Sequence, residues 1–220
     1  MLTSLVGSEM CIRDRTQHAQ MLLGDLPRSP HGGFPLLVKL LDAQRNLSVQ
    51  VHPTAEYAAT HPGAYTKDEA WLILDAKPKS MLYTGLAEGV TPAELHAAAQ
   101  RGQDLKPLMH AVPAIPGACH VLPSGTCHAL GAGILVAEFQ TPSDTTYRIW
   151  DWGREGREMH LDQALACMSP GRAAPPCTTP ADADGLEINI VANTPAFVLR
   201  TLRSSDQRVL KSPPSDRPEI

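Results

Sequence analysis

Four side chains have the types and spacing to hold a metal ion. Gln50 and His52 stand two apart in the alternating stretch Leu47-Ser48-Val49-Gln50-Val51-His52-Pro53. Successive side chains of a strand change face, so Leu47, Val49 and Val51 share one side and Ser48, Gln50 and His52 the other. Glu69 follows seventeen residues after His52, within Lys67-Asp68-Glu69-Ala70-Trp71. His128 ends the run Pro123-Ser124-Gly125-Thr126-Cys127-His128. There Pro123 closes a strand, Gly125 permits the positive φ of a tight turn, and His128 points back from the next strand. Two imidazoles, a carboxylate and an amide oxygen make a nitrogen and oxygen donor set without thiolate, which suits zinc. Singly, each has an ordinary reading: a loop histidine, a surface carboxylate, a solvent-facing strand glutamine. Their joint occurrence, each on or beside a strand, gives the metal reading its weight. His18, His31, His61, His96, His110, His120 and His160 lack such neighbours and read as structural or surface residues.

Such donors need a scaffold of short strands. Phe34–Leu41 is an apolar run interrupted by Lys39 and suits a strand buried on both faces. Strands are also expected over Glu69–Leu74, Ser80–Leu86, Cys119–Leu122, Thr126–Leu130, Ile134–Gln140 and Thr145–Trp150, with Lys77-Pro78-Lys79 as a turn. Thr54 caps one or two helical turns to Thr60. Thr91-Pro92-Ala93-Glu94 is a capping box with proline at the first helical position. It opens a helix to about Gln100, broken at Gly102 and resumed over Leu105–Ala111. Leu161–Cys167 reads as a short helix, and Glu187–Val191 and Ala196–Leu202 as strands. The pattern is mainly β: an antiparallel barrel or sandwich with one helical insertion, about 91–111.

Bulk properties narrow the function classes. With 220 residues there is room for one large domain. A net charge of −4 argues against nucleic acid or anionic membrane as main partner. No apolar run approaches the roughly 20 residues of a membrane span. Five cysteines without a CxxC pair suggest free thiols and a reducing compartment, so a cytoplasmic location is expected.

Pro123-x-Gly125-x-x-His128 is the second sequence motif of the cupin barrels. Together with Phe34-Pro35-Leu36-Leu37-Val38-Lys39, Leu47–Pro53, Lys67–Trp71, Gly125–Gly131 and Glu138–Trp152 (EFQTPSDTTYRIWDW), it resembles the type I mannose-6-phosphate isomerases over roughly Phe34 to Ala166. That resemblance implies a jelly-roll cupin barrel and one zinc ion per chain, held by Gln50, His52, Glu69 and His128. It implies reversible conversion of mannose 6-phosphate to fructose 6-phosphate through a cis-enediol, zinc acting as Lewis acid. Arg148 falls at the family's active-site arginine, and Lys67 and Glu138 match pocket positions. Arg154, six residues after Arg148, matches a basic residue of some relatives. On a regular strand Thr146, Arg148 and Trp150 share a face, so Arg148 can project into the barrel. A small sugar phosphate is the expected partner, and the chain is expected to be a monomer. Glu138, Lys67 and a zinc-bound water all stand as candidates for the proton-transferring base.

Several features depart from that pattern. Cys127 stands where relatives often have Val. Residues 1–15 (MLTSLVGSEMCIRDR) resemble a translated sequencing adapter and are expected to be non-native. The catalytic domain is then expected over 16–167, truncated at its N-terminus, followed by a linker over 168–185, remnant strands over 186–203 and a disordered tail over 204–220. The second cupin domain is expected to be largely absent. Two rival readings follow: a truncated zinc-binding fragment without turnover, and a cupin metalloenzyme of other chemistry, such as a non-haem iron oxygenase.

Overall fold

The computed structural model describes residues 21, 28–29, 34–175, 179–183 and 186–204. The expectations for 1–15 and for the tail beyond Ser204 lie outside the described residues. Alternation and turn chemistry produce twelve strands and three short helices among the described residues. In chain order they are β1 (Leu37–Ala43), β2 (Val49–Val51), α1 (Ala55–Thr60), β3 (Glu69–Ala76), β4 (Met81–Leu86) and α2 (Pro92–Gln100). Then come β5 (Met109–Pro113), β6 (Cys119–Leu122), β7 (His128–Leu130), β8 (Ile134–Gln140), β9 (Tyr147–Trp150) and α3 (Leu161–Cys167). The last are β10 (Thr179–Ala183), β11 (Leu186–Asn193) and β12 (Val198–Ser204).

The strands form three antiparallel sheets, of order β1-β8-β3-β6, β5-β4-β7-β2-β9 and β10-β11-β12. The expected mainly β, antiparallel cupin architecture is thereby borne out. The first two sheets face each other across a core of Trp71, Ile73, Leu82, Leu122, Leu130, Ile134 and Val136, all 1% exposed or less. Burial on this scale contributes roughly 1.5–3 kcal/mol for each large side chain. Leu95 and Ala98 of α2 and Ala164 and Cys167 of α3 cover the back of the five-stranded sheet, packing on Val49, Val51, Ala129 and Ile149. Val191, Phe197 and Leu199 of the third sheet cover part of the back of the four-stranded sheet, against Ala70, Cys119, Ala137 and Phe139.

Local chemistry explains the helix starts. Thr91 accepts from the Glu94 N–H while the Glu94 carboxylate accepts from the Thr91 N–H, and Pro92 follows the cap. Such a box is worth about 1 kcal/mol. Thr54 caps α1 in the same way through Tyr57 N–H.

Four expectations need correction. Phe34–Leu41 is not buried on both faces: β1 pairs with β8 alone, and Val38 and Leu40 are 49% and 69% exposed. The helix does not resume over Leu105–Ala111. Lys106–Leu108 make one 3₁₀ turn and Met109 enters β5, because pairing with β4 offers that segment a continuous ladder. The segment after Cys167 is not free linker. Gly171 O accepts from Leu86 N, Ala173 N donates to Thr84 O, and Thr179–Ala183 pair with β11. Finally, Trp150 does not share the face of Arg148. A bulge opposite Val49 and Gln50 lets Arg148 pair with Gln50 while Trp150 pairs with Val49 and packs on the helix side. Among the described residues no helix is long and apolar enough to cross a membrane.

Candidate metal centre

Strand direction gathers the predicted ligands at one end of the barrel. β2 runs toward that end and delivers Gln50 and, just past its last residue, His52. β3 and β7 start there, with Glu69 and His128 as their first residues. Gln50 lies opposite His128 on one side and opposite Arg148 on the other, so Arg148, Gln50 and His128 form a row on the inner face of the five-stranded sheet. The facing sheet contributes two rows: Lys39, Glu138 and Trp71, and Gln140 and Glu69.

The turn preceding β7 is built around Gly125. Its φ is +88°, and a Cβ there would lie 2.5 Å from Ser169 Oγ and 2.8 Å from Thr54 Cγ2. Only glycine meets both demands. The turn is tied to the Lys67–Glu69 stretch: Ser124 N donates to Asp68 Oδ1 at 2.8 Å, and Lys67 N donates to Ser124 Oγ at 2.8 Å. The Lys-Asp-Glu sequence thus places Glu69 opposite His128, with Asp68 as the bracket, a role that sequence reasoning missed.

His52, Glu69 and His128 are each 1% exposed or less. Their donor atoms lie within 4.8 Å of one another. His52 Nε2 is 3.3 Å from Glu69 Oε1, and His128 Nε2 is 3.5 Å from Glu69 Oε2. Each ring's other nitrogen faces a main-chain carbonyl: His52 Nδ1 lies 3.0 Å from Thr145 O, and His128 Nδ1 2.8 Å from Thr126 O. A carbonyl can only accept, so in the neutral rings Nδ1 carries the proton and Nε2 keeps its lone pair. Outer-shell carbonyls orient metal-binding histidines in this way. His52 Nε2 and Glu69 Oε2 are buried without a hydrogen-bond partner, and Glu69 Oε1 has only the ion pair with Lys67. Leaving such groups unsatisfied costs about 1–3 kcal/mol each. A cation bound among them removes that cost, so the three residues fit a metal ion. The Gln50 amide ends 3.4 Å from His128 Nε2, and a half-turn of the amide would offer its oxygen to the same space.

Electrostatics agree with a cation site. Burial pushes the Glu69 carboxyl up, but Lys67, with Nζ 2.6 Å from Oε1, and then His52 and His128 outweigh it and hold it well below the usual range. Burial pushes His128 down to about 4, with Glu69 opposing, so its ring is neutral at pH 7. Free cysteines Cys119, Cys127 and Cys167 are buried, and burial pushes the Cys127 thiol up to about 12. Cys127 lies on the helix side of its sheet and stays out of the donor set.

The other predicted residues divide. Lys67 is 6% exposed and touches Glu69 directly. Glu138 is 4% exposed; Oε2 accepts from Trp71 Nε1 at 3.0 Å and Oε1 from Lys39 Nζ at 2.9 Å. The Trp71 ring meets the His128 ring edge-on, with centroids 5.3 Å apart. Arg148 is bound at its outer end, Nη1 donating to Glu158 O at 2.9 Å, while its buried Nε has no partner. Arg154 stands apart, paired with Asp151 at 2.5 Å and bonded to Asn46 O at the opposite end of the barrel. Sequence reasoning missed Lys39 and Gln140, which bond each other beside Glu138. The signal for Lys39 is present in the sequence: it is the lone charge in the apolar run Phe34–Leu41. Among the histidines read as structural, His61 stacks on Tyr57 with centroids 3.8 Å apart, and His96 lies 3.2 Å from Asp162.

Residues 6–83 match the family described as phosphomannose isomerase type I, catalytic domain. Over 173 residues the chain is 37% identical to the mannose-6-phosphate isomerase of Streptococcus mutans, covering 76% of this chain and 54% of that protein. Over 155 residues it is 42% identical to the mannose-6-phosphate isomerase ManA of Bacillus subtilis, covering 68% and 48%. The crystal structure of the mannose 6-phosphate isomerase from Bacillus subtilis matches the fold with a TM-score of 0.72 at 30% identity, covering 83% of this chain and 59% of that chain. The chain spans about half the length of the curated relatives it matches.

Proposed function

We propose, from the premise that this chain is a relative of the type I phosphomannose isomerases, that its barrel interconverts mannose 6-phosphate and fructose 6-phosphate with one bound zinc ion. The observation that carries the proposal is the buried Glu69 carboxylate with two imidazole Nε2 atoms turned toward it and no hydrogen-bond donor on its oxygens other than the paired lysine. His52, Glu69 and His128 would hold the ion, with Gln50 as fourth donor; nitrogen and oxygen donors in this number suit zinc. Bound there, zinc supplies Lewis-acid polarisation of the sugar's oxygens.

The chain's own groups account for the remaining needs. Aldose–ketose exchange moves a proton between C2 and C1 through a cis-enediol, so negative charge develops on the sugar's oxygens. Arg148, on the row that includes Gln50 and His128, and Lys67, beside Glu69, bring positive charge to that space. A phosphate dianion calls for the same cations. Glu138 and Lys67 are buried proton-exchanging groups on the inner face and remain the candidates for the base. The Trp71 and Lys39 contacts hold Glu138 in one orientation.

The test is turnover of mannose 6-phosphate by the purified chain, with zinc content measured in the same sample. Zinc-dependent turnover, restored by zinc and not by iron after chelation, is the expected result. Soluble, zinc-loaded protein without turnover would favour the second reading, a zinc-binding barrel that does not isomerise. That reading is kept because the chain spans about half of its relatives' length.

A further inference from the structure

The opposite end of the barrel carries a second concave site. Three turns meet there: the β1–β2 connection with Gln44 and Asn46, the β3–β4 turn Lys77-Pro78-Lys79-Ser80, and the β7–β8 turn Gly131-Ala132-Gly133. They line an open cleft of about 400 Å³. Glu69 opens β3 at the metal end and Ala76 closes it here. Seven strand steps separate the two sites by roughly 20 Å, so this cleft is not part of the metal centre.

Its chemistry is one-sided. Lys77 and Lys79 line it, and among the described residues no carboxylate does. Among the described residues neither lysine has an ion pair or a hydrogen bond from its amine. Two acids of the adjoining strands accept local hydrogen bonds: Asp75 Oδ1 from Ala76 N, and Asp42 Oδ1 from Gln44 Nε2 at 2.6 Å. Both lining charges are positive, in a chain of net charge −4.

The cations are also positioned. Gly133 has φ +79°, and a Cβ on it would lie 3.1 Å from Lys77 Cβ and Cδ and 2.8 Å from Ser80 Oγ. The lysine stem therefore rests along glycine backbone, and a Cβ there would press on it. Lys79 takes the left-handed conformation, φ +67°, uncommon for a residue with a Cβ. Asn46 Oδ1 accepts from Ala132 N at 2.7 Å, which leaves its amide N–H groups available as donors. Tyr83 and Met81 supply an apolar wall.

We propose that this mouth is a second ligand site, taking the phosphate group of a small phosphate-bearing metabolite, with Lys77 and Lys79 as its cations and the Asn46 amide as a neutral donor. Two ammonium groups and an amide match the acceptor oxygens of a phosphate dianion. The site needs no metal and does not rest on the isomerase reading.

Inorganic phosphate is the probe. Backbone amide NMR shifts of the whole chain, recorded during a phosphate titration at constant ionic strength with chloride as counter-titrant, are expected to change saturably at Lys79, Gly131 and Gly133. In the double variant Lys77→Gln/Lys79→Gln the affinity read from those amides should fall at least tenfold, while the amides of Gly125 to His128 respond as in the parent chain. Both lysines are exposed, and the variant's own spectrum reports whether it is folded. Shifts at these amides that fail to saturate in the parent chain, or that persist unchanged in the double variant, would overturn the proposal.

Discussion

The metal end of the barrel holds its histidines and its arginine in different ways. His52 and His128 are buried, and each is fixed at Nδ1 by a main-chain carbonyl, so only Nε2 is free to act. Arg148 shares their row across β9, β2 and β7, roughly 10 Å from His128 by two strand spacings. Yet its guanidinium is held at one end by the carbonyl of Glu158, and its Nε stays unpaired. The ligand cluster is determined from every side; the arginine is determined from one. A rigid cluster suits a metal ion, whose affinity depends on fixed geometry. A cation with an unused donor suits a substrate that arrives and leaves.

The sharpest way to break this contrast is to remove a ligand. His128→Ala should leave the purified protein with less than a tenth of the parent's zinc after dialysis, and turnover should fall on the order of 10³-fold or more. Zinc content by mass spectrometry and a coupled isomerase assay check the two arms. Full zinc retention would mean that the cluster is not the metal site. Arg148→Ala comes next, and here the two readouts should separate: zinc content unchanged, turnover lower by roughly 10²–10³-fold. An arginine that mattered only for packing would leave turnover near the parent's. Glu138→Gln should have a smaller effect. It keeps the shape and weakens the bond to Lys39, so turnover should fall about 10–100-fold while zinc binding stays within tenfold.

The same contrast explains what could be seen from sequence. The candidate ligands stand out in the sequence because period-two alternation, a glycine turn and a carboxylate at a strand start are local signals. The Thr54 cap of α1 and the capping box of α2 are legible for the same reason. What escaped depends on pairing between distant segments. Asp68 brackets Ser124 from 56 residues away, and Lys39 reaches Glu138 from 99 residues away. The bulge opposite Gln50 turns Trp150 to the helix side, and no pattern within TYRIWDW announces it. Likewise the helix expected over Leu105–Ala111 gives way to β5 at Met109, because that strand's character comes from β4, 28 residues before Met109 by their first members. Non-local pairing decides register, and register decides which face a side chain takes.

Gly125 tests whether the turn, as distinct from the ligands, is rigid. Its Cβ position is filled by Ser169, Thr54 and the carbonyl of Cys167, and its φ is +88°. Gly125→Ala should therefore lower stability by about 1–3 kcal/mol. Thermal unfolding should shift down by several degrees, and zinc affinity should weaken with it because His128 follows three residues later. A variant as stable as the parent would show that the turn can relax without moving the ligand.

The smallest effect is expected one residue from the largest. Cys127 precedes His128, but a strand sends neighbours to opposite faces. Its side chain enters the helix-side core with Val49, Ala129 and Ile149, 1% exposed, and its thiol is held protonated by burial. Cys127→Val exchanges one small apolar side chain for another of slightly greater volume, so stability should change by less than about 1.5 kcal/mol. Zinc content and turnover should match the parent's, and thiol-modifying reagents should leave folded parent protein active. Loss of zinc in this variant would mean that the two faces of β7 are not independent. The rigidity assigned to the ligand cluster would then extend through the sheet to the helices behind it.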